Sequence, residues 1–432
     1  MILTGSLFFI LSFDGVFRLL SLSINLSKIS IIHLIIPAIT IFIYYILELY
    51  DLSLPRNLEM IFFYVFIANC IASLFYSALS YFIISLRPGK TNLLFFMSSA
   101  IVITFLWRLY FKNIIFIKRK NILFVGTERI FDDIRDVIEK VYDQYYTVVD
   151  QWSDTPNGMT AGNLSQYMEN ANIDMVVFSL RSKLVLSLAE ELISCNFSGK
   201  SVIDAYSFYQ RLTYKCPLNF LDDFTMLVNI NREVILPTIT SNVKRVIDLL
   251  CVFLALPFAI PVLIVAAIAI KSTSEGPIFF IQERLAQNEK QFRLYKLRTM
   301  IRDAEKQTGP QWSTDSDPRI TPVGRILRKL RLDELPQLFN VMKGEMSIVG
   351  PRPIRRHFAD VLATEIPFYR LRFLVKPGLT GWAQVHYDYA GSNQGQLEKQ
   401  QYDLFYLIHQ SIPLDLYVIF KTIRVMVWGK GT

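Results

Sequence analysis

Two adjacent carboxylates, Asp333 and Glu334, lie inside the basic stretch RKLRLDELPQLFNVMKGEMSIVGPRP, residues 328–353 of this 432-residue chain. The pattern predicts a helix over Gln337 to Met342 with Asp333 as its N-cap. Pro336 is tolerated in a first turn because its missing N–H would have no intrahelical partner, and Gly344 supplies the stop. Both acids would then lie at the positive end of a helix dipole, which favours their ionised forms and also draws anions. Arg325, Arg328, Lys329 and Arg331 lie just upstream and Arg352 follows downstream. Two ionised carboxylates among these cations suit a divalent metal holding a phosphate-bearing ligand, with arginine forks on the phosphate oxygens. Taken alone, the dipeptide favours a plainer reading, a capped surface helix with ordinary salt bridges.

Composition says what kind of elements must hold these residues. Hydrophobic residues make up 52% of the chain and mean hydropathy is +0.33, which places it among membrane proteins rather than soluble enzymes. The net charge of +8 is unevenly distributed. From Lys244 onward there are 26 Lys+Arg against 17 Asp+Glu, whereas residues 1–243 carry 19 against 20. A basic module beside apolar segments favours anionic lipid or phosphorylated substrates over nucleic acid. Cys70, Cys195, Cys216 and Cys251 are dispersed, so neither a disulfide framework nor a CxxC metal site is indicated. His33, His357, His386 and His409 lack HExxH spacing, and each reads as structural.

Four apolar stretches, at 3–22, 29–50, 58–86 and 93–117, are each near the roughly 20 residues a helix needs to cross hydrocarbon. Asp14 and Arg18 blemish the first. The cluster Lys118, Arg119 and Lys120 marks the cytoplasmic side, so residues 1–120 read as a transmembrane helical bundle with both ends in the cytoplasm. Residues 121–205 alternate strands with helices, as in NILFVGT, RIFDDIRDVIEKVY, YTVVDQW, a helix over 164–170, DMVVFSL, a helix over 185–195 and KSVIDA. That alternation predicts a small, doubly wound, Rossmann-like parallel sheet. Its first turn offers Gly126 without GxGxxG, which favours a packing, scaffold or regulatory role over nucleotide binding. Residues 206–243 read as a linker or extended edge.

The last module, 244–432, opens with an apolar run over 246–270 that contains Pro257 and Pro261 and has basic residues at both flanks. Two prolines near the midpoint bend a helix, so a re-entrant helix that enters and leaves on one face satisfies the pattern; an ordinary kinked span does so equally well. FYRLRFLVK at 368–376 and LYVIFKTIRVMVW at 416–428 mix aromatic, aliphatic and basic residues as interfacial helices do, or belong to the core.

The segments FFIQERLAQNEKQFRLYKLRTM, DPRITPVGRILRKLRLDELPQLFNVMKGEMSIVGPRP and VKPGLTGWAQV carry a strong resemblance to the bacterial sugar transferases, the monotopic polyprenyl-phosphate phosphoglycosyl transferases of exopolysaccharide and O-antigen synthesis. The resemblance covers the whole last module, and the preceding spans with a Rossmann-like domain are similar to the large subgroup. It implies a membrane α+β fold: an N-terminal four-helix transmembrane bundle, a Rossmann-like α/β middle domain and a C-terminal monotopic catalytic domain with a re-entrant helix, at the cytoplasmic face of the bacterial inner membrane. It further implies an Mg²⁺-dependent dyad, Asp333 and Glu334, that transfers a sugar 1-phosphate from a UDP-sugar to undecaprenyl phosphate and releases UMP, with Asp333 as covalent nucleophile. Lys296, Arg328 and Arg352 occupy positions suited to phosphate contacts, and Asp403 matches an acidic family position. The family's membrane helix breaks at Ser-Pro, whereas here Ile260 precedes Pro261 and Pro257 adds a second bend. A non-enzymatic scaffold whose basic module binds anionic lipid is the competing class. A homodimer is compatible with a membrane protein of this size, and no residue specifies one.

Overall fold

The computed structural model describes residues 44, 58–82, 98, 101–102, 104–106, 119–153, 164–221, 226, 238–302, 304, 317–387 and 393–428. The chain divides into two units, Met1–Lys120 with Tyr142–Thr147 and Asn121–Val141 with Val148–Thr432. In the first unit, α1 (Leu58–Phe82) is apolar nearly throughout. Ile61, Val65, Ala68 and Ala72 recur on one face and pack with Tyr44, Ile101 and Phe105. Asn69 donates to the Tyr44 hydroxyl at 2.7 Å, and Tyr44 donates to Thr104 Oγ1 at 3.2 Å. The third expected span coincides with α1. The stretches at 3–22, 29–50 and 93–117 fall largely outside the described residues, and so does the four-helix bundle they would form.

The α/β fold the alternation predicted comes next, nearly all of it in the second unit. Its elements are β1 (Lys120–Val125), α2 (Ile130–Val137), β2 (Tyr146–Trp152), α3 (Leu164–Asn170), β3 (Met175–Phe178), α4 (Lys183–Ser187), α5 (Ala189–Phe197), β4 (Ser201–Asp204) and α6 (Ala205–Thr213). The strand order is β2-β1-β3-β4, with β1, β3 and β4 parallel. Alternation of side chains explains the two helical layers. Leu123 and Val125 face Leu164, Met168 and Leu192, while Phe124 stacks on Phe131 of α2 with ring centroids 4.7 Å apart. The single helix expected over 185–195 is interrupted at Leu188, where the backbone turns to φ −99°, ψ 6° and the side chain enters the same core.

Residues 206–243 are more than the expected linker. Asp204 caps α6 by accepting from Ser207 N at 2.9 Å. Cys216, Leu218 and Met226 then pack with Leu285, Ile354, Tyr369 and Leu404, so the core of the last module recruits chain from before residue 244.

That module continues with α7 (Thr238–Thr273), β5 (Phe279–Leu285), β6 (Gln291–Leu297), α8 (Pro322–Lys329), α9 (Gln337–Lys343), β7 (Ser347–Val349), α10 (Arg356–Glu365), β8 (Gly378–Thr380), α11 (Trp382–His386), α12 (Asn393–His409) and α13 (Ile412–Trp428). β5 and β6 form an antiparallel hairpin, and β7 pairs with β8 in parallel. Helix α7 runs through both Pro257 and Pro261 without interruption, so the break expected there is not a gap in the helix. Its stretch Ser241–Thr273 is long and apolar enough to cross a membrane, and Phe253, Leu254, Phe258, Val265 and Ile268 stand exposed along it.

Both ends of α7 are fastened to the same body. At the N-terminal end, Arg245 donates to the Val341 and Met342 carbonyls in the last turn of α9, and Asp248 Oδ1 accepts from Ser347 Oγ and Ile348 N at 2.9 Å each. Lys244 pairs with Asp415 of α13 at 2.6 Å. At the other end, Ala266 and Ile270 pack against Leu297 of β6 and Leu327 of α8. The segment carrying Asp333 and Glu334 runs between these two attachment points.

Two stretches expected at a membrane interface are core, at least in part. Tyr369, Arg372 and Phe373 of the turn Tyr369–Leu374 are buried, as are Tyr417 and Val418 of α13.

Candidate active site

The acid pair is positioned from both sides. Thr321 caps α8, its Oγ1 accepting from Gly324 N at 3.0 Å with Pro322 at the first helical position. Arg331 then adopts the left-handed conformation (φ 54°, ψ 21°), and Leu332–Glu334 form one 3₁₀ turn before α9. Asp333 is therefore not the N-cap of α9. Pro336 holds that place, without a side-chain cap, because the turn at Arg331 brings the chain in at a different angle. Gly344 ends the helix as expected, with φ 83°.

The two carboxylates have different surroundings. Glu334 Oε1 accepts from Lys296 Nζ at 3.0 Å and from Arg352 Nη2 at 2.5 Å; Oε2 has only a 3.4 Å contact with Arg352 Nη1. Burial alone would raise its pKa, but Arg352 and Lys296 outweigh burial and hold the carboxyl well below the usual range. Asp333 is buried and has no hydrogen bond or ion pair among the described residues. Burial pushes its pKa up and the Glu334 charge adds to this, against the pull of Lys296, Arg352 and Arg328.

Lys296 and Arg352 thus meet Glu334 directly. Arg328 is half-buried; its Nε donates to Thr299 Oγ1 at 2.9 Å, and its two terminal nitrogens have no partner among the described residues. Arg325 and Lys329 are exposed on α8 and do not join the site. Asp403 lies behind it. Arg372 Nη2 is 2.9 Å from Asp403 Oδ2, off the line of a hydrogen bond, and donates to the Arg352 carbonyl at 3.0 Å. Among the described residues, Asp403 is linked to the acid pair through Arg372 and Arg352. One turn earlier on α12, Lys399 is pushed down to about 8, chiefly by burial, with Arg372, Arg352 and Arg284 adding to the shift against the pull of Asp403. Sequence reasoning missed Arg372 and Thr299, although both lie inside quoted motifs. Nothing local to either residue says which distant side chain it meets.

No group of three or more His, Cys, Asp or Glu gathers as a metal site among the described residues. The pair itself suits Mg²⁺, which binds through one or two carboxylates and completes its shell with water and substrate phosphate. The Asp333 carboxylate, which has no partner among the described residues, and the lightly engaged Glu334 Oε2 are the atoms that could hold it.

Among the described residues, an acid with no partner, a second acid held by Lys and Arg, and a guanidinium fork with open terminal nitrogens form an arrangement that could receive a phosphorylated ligand, on a module attached to both ends of a long apolar helix. Residues 239–429 match the family described as bacterial sugar transferase, and the chain belongs to that family. It is 44% identical over 193 residues to the UDP-N-acetylgalactosamine-undecaprenyl-phosphate N-acetylgalactosaminephosphotransferase of Aeromonas hydrophila, a match covering 45% of each chain. It is 34% identical over 285 residues to the UDP-glucose:undecaprenyl-phosphate glucose-1-phosphate transferase of Escherichia coli, covering 62% of this chain and 59% of the relative. The exopolysaccharide production protein PSS of Rhizobium leguminosarum bv. phaseoli is 37% identical over 194 residues, 44% of this chain and 97% of the relative. The match spans less than half the length of the Aeromonas relative.

Proposed function

We propose that the chain transfers a sugar 1-phosphate from a UDP-sugar to undecaprenyl phosphate, releasing UMP, as the first membrane step of exopolysaccharide or related glycan synthesis. The names of the relatives support the substrates. The single observation that carries the mechanism is the asymmetry of the dyad: Glu334 is held by Lys296 and Arg352, while Asp333 is buried and has no partner among the described residues. A carboxylate without a competing partner is available for in-line attack. An Asp333 oxygen would attack the sugar-bearing phosphorus and the bond to the UMP oxygen would break, leaving a phosphosugar ester on Asp333. An oxygen of the lipid phosphate would then attack the same phosphorus and return Asp333 as carboxylate. Lys296 and Arg352 keep Glu334 ionised and in place, and the Arg328 fork faces the charge that develops on the phosphoryl oxygens. Mg²⁺ held by Asp333 and Glu334 would supply neutralisation of the pyrophosphate charge.

The attachment of α7 supports a same-face topology. An unbent helix would separate Arg245 from Ile270 by roughly 37 Å at ~1.5 Å per residue. Yet Arg245 bonds Val341 of α9, whose Asn340 accepts from Tyr295 of β6, and Leu297 two residues on packs against Ile270. Such a helix dips into one leaflet and leaves the site at headgroup depth on the cytoplasmic face, where a lipid phosphate and a soluble nucleotide sugar can both arrive.

The test is UMP release from a panel of UDP-sugars with Mg²⁺, followed by incubation without lipid and intact-protein mass spectrometry. A hexose-phosphate adduct on Asp333 and ping-pong kinetics are expected. Turnover without any adduct under rapid quenching, with both substrates bound together, would reduce the dyad to a metal site. No UMP release from any donor would favour the scaffold reading.

A further inference from the structure

The motif YKLRTM contributes Lys296 to the site, but its next residues, Arg298 and Thr299, have no part in the reaction as described. Both are buried. Arg298 grips the exit of α7: Nη1 donates to the Glu275 carbonyl at 2.8 Å, and Nη2 donates to the Ser274 carbonyl at 2.8 Å and to Ser274 Oγ at 2.7 Å. Gly276, at φ +121°, makes room for this, since a Cβ there would stand 2.1 Å from Arg298 Nη1. The backbone that carries Thr299 is therefore anchored.

Thr299 in turn sets α8 in two ways. Its carbonyl accepts from Thr321 N at 3.0 Å, at the cap of the helix, and Gly324 lies so close that a Cβ there would fall 2.1 Å from the same oxygen. One turn beyond Gly324 comes Arg328, whose Nε donates to Thr299 Oγ1 at 2.9 Å. An arginine held at Nε has lost rotation about its stem, while its planar fork stays open for two parallel bonds to a phosphate. Both terminal nitrogens of Arg328 are open in this sense among the described residues.

We propose that Thr299 is a positioning residue that holds the Arg328 guanidinium with its fork turned toward the phosphoryl group transferred at Asp333. This rests on the transferase reading. The side chain never needs to touch substrate; its hydroxyl fixes one rotamer of the group that does, and preorganisation of that kind lowers the cost of reaching the transition state.

The full chain in lipid nanodiscs, assayed with Mg²⁺ and a UDP-sugar that it turns over, provides the test. Thr299→Val keeps the volume and removes the acceptor; it is expected to lower kcat/KM for the donor about tenfold or more, the scale of a lost bond to a charged group. Thr299→Ser restores the acceptor and is expected to stay within about threefold of wild type. In an Arg328→Ala background Thr299→Val should add no further loss. A Thr299→Val enzyme with unchanged kcat/KM overturns the proposal, and so does an equal loss in both backgrounds, which would mean that Thr299 acts through the packing of α8. If Thr299→Val does not fold, Thr299→Ala is scored by the same cycle. Exchange of the Arg328 Nε–H, assigned by its disappearance in Arg328→Lys, is read without substrate and should be faster in Thr299→Val. If the wild-type chain turns over no UDP-sugar, the transferase reading fails, and this exchange rate alone decides whether Thr299 orients Arg328; an unchanged rate sinks the positioning role.

Discussion

The middle domain and the last module each place a carboxylate just ahead of a helix, and the two have opposite fates. In the middle domain, the first turn after β1 carries Glu128, whose Oε1 accepts from Ser179 Oγ at 2.5 Å and whose Oε2 lies 3.2 Å from the Tyr206 hydroxyl. Ser179 Oγ also accepts from Arg181 N at 3.1 Å. The edge where a Rossmann-type sheet binds a nucleotide is thus occupied by the domain's own side chains, and Asp132 and Asp133 make the first turn of α2 acidic, the wrong sign for a phosphate. In the last module, Glu334 is held by Lys296 and Arg352, but among the described residues Asp333 beside it has no partner and the terminal nitrogens of Arg328 are open. An acid near a helix start says little; what separates structure from chemistry is whether its neighbours already satisfy it.

Four substitutions or conditions test this contrast, from the largest effect to the smallest. Asp333→Asn keeps size and removes the nucleophilic charge, so UMP release should fall by ~10⁴-fold or more, while a folded far-UV spectrum is retained. Retention of a tenth of wild-type turnover would end the nucleophile assignment. Next, Asp403→Leu leaves Arg372 as a buried charge without its counter-ion, which costs roughly 3–5 kcal/mol and should show as a much lower thermal midpoint in detergent. Arg372→Met in the same chain should recover part of that loss, and additive losses would mean that the pair is not the operative contact.

The third effect is of pH. His386 stacks on Tyr402, lies against Trp382 with ring centroids 4.0 Å apart, and is pushed down to about 3 by burial, with Lys421 and Lys215 adding to the shift. Its folded value lies below its unfolded one, so the unfolded chain binds the extra proton first. The stability it contributes is complete above pH 6.5 and is lost as pH falls from there toward 3. At pH 5 the loss from this residue is at most about 2 kcal/mol, and His386→Gln should flatten the melting profile between pH 7.5 and 5. The smallest effect closes the comparison. Glu128→Gln keeps an acceptor for Ser179, so it should cost no more than about 1 kcal/mol of stability and leave UMP release within twofold of wild type; a large drop in turnover would make the middle domain part of the chemistry.

Much of this protein was legible in its residues. Strands β1 to β4, the helix at Leu164–Asn170, the stop at Gly344 and the long apolar helix all follow from local patterns: period two, period 3.6, a glycine able to take positive φ, and apolar length. The grouping of Lys296, Arg328 and Arg352 with the acid pair was reached through the family resemblance. Which acid is free was not legible, because it depends on the left-handed turn at Arg331 and on Lys296 and Arg352 arriving from 38 and 18 residues away. Nor was the linkage of Arg372 to Asp403, of Thr299 to Arg328, or of both ends of α7 to one body. Periodicity reports which face of an element is buried, whereas 45 basic and 37 acidic residues could pair in very many ways. Only the tertiary structure chooses among those pairings, because each is decided by packing between segments distant in the chain.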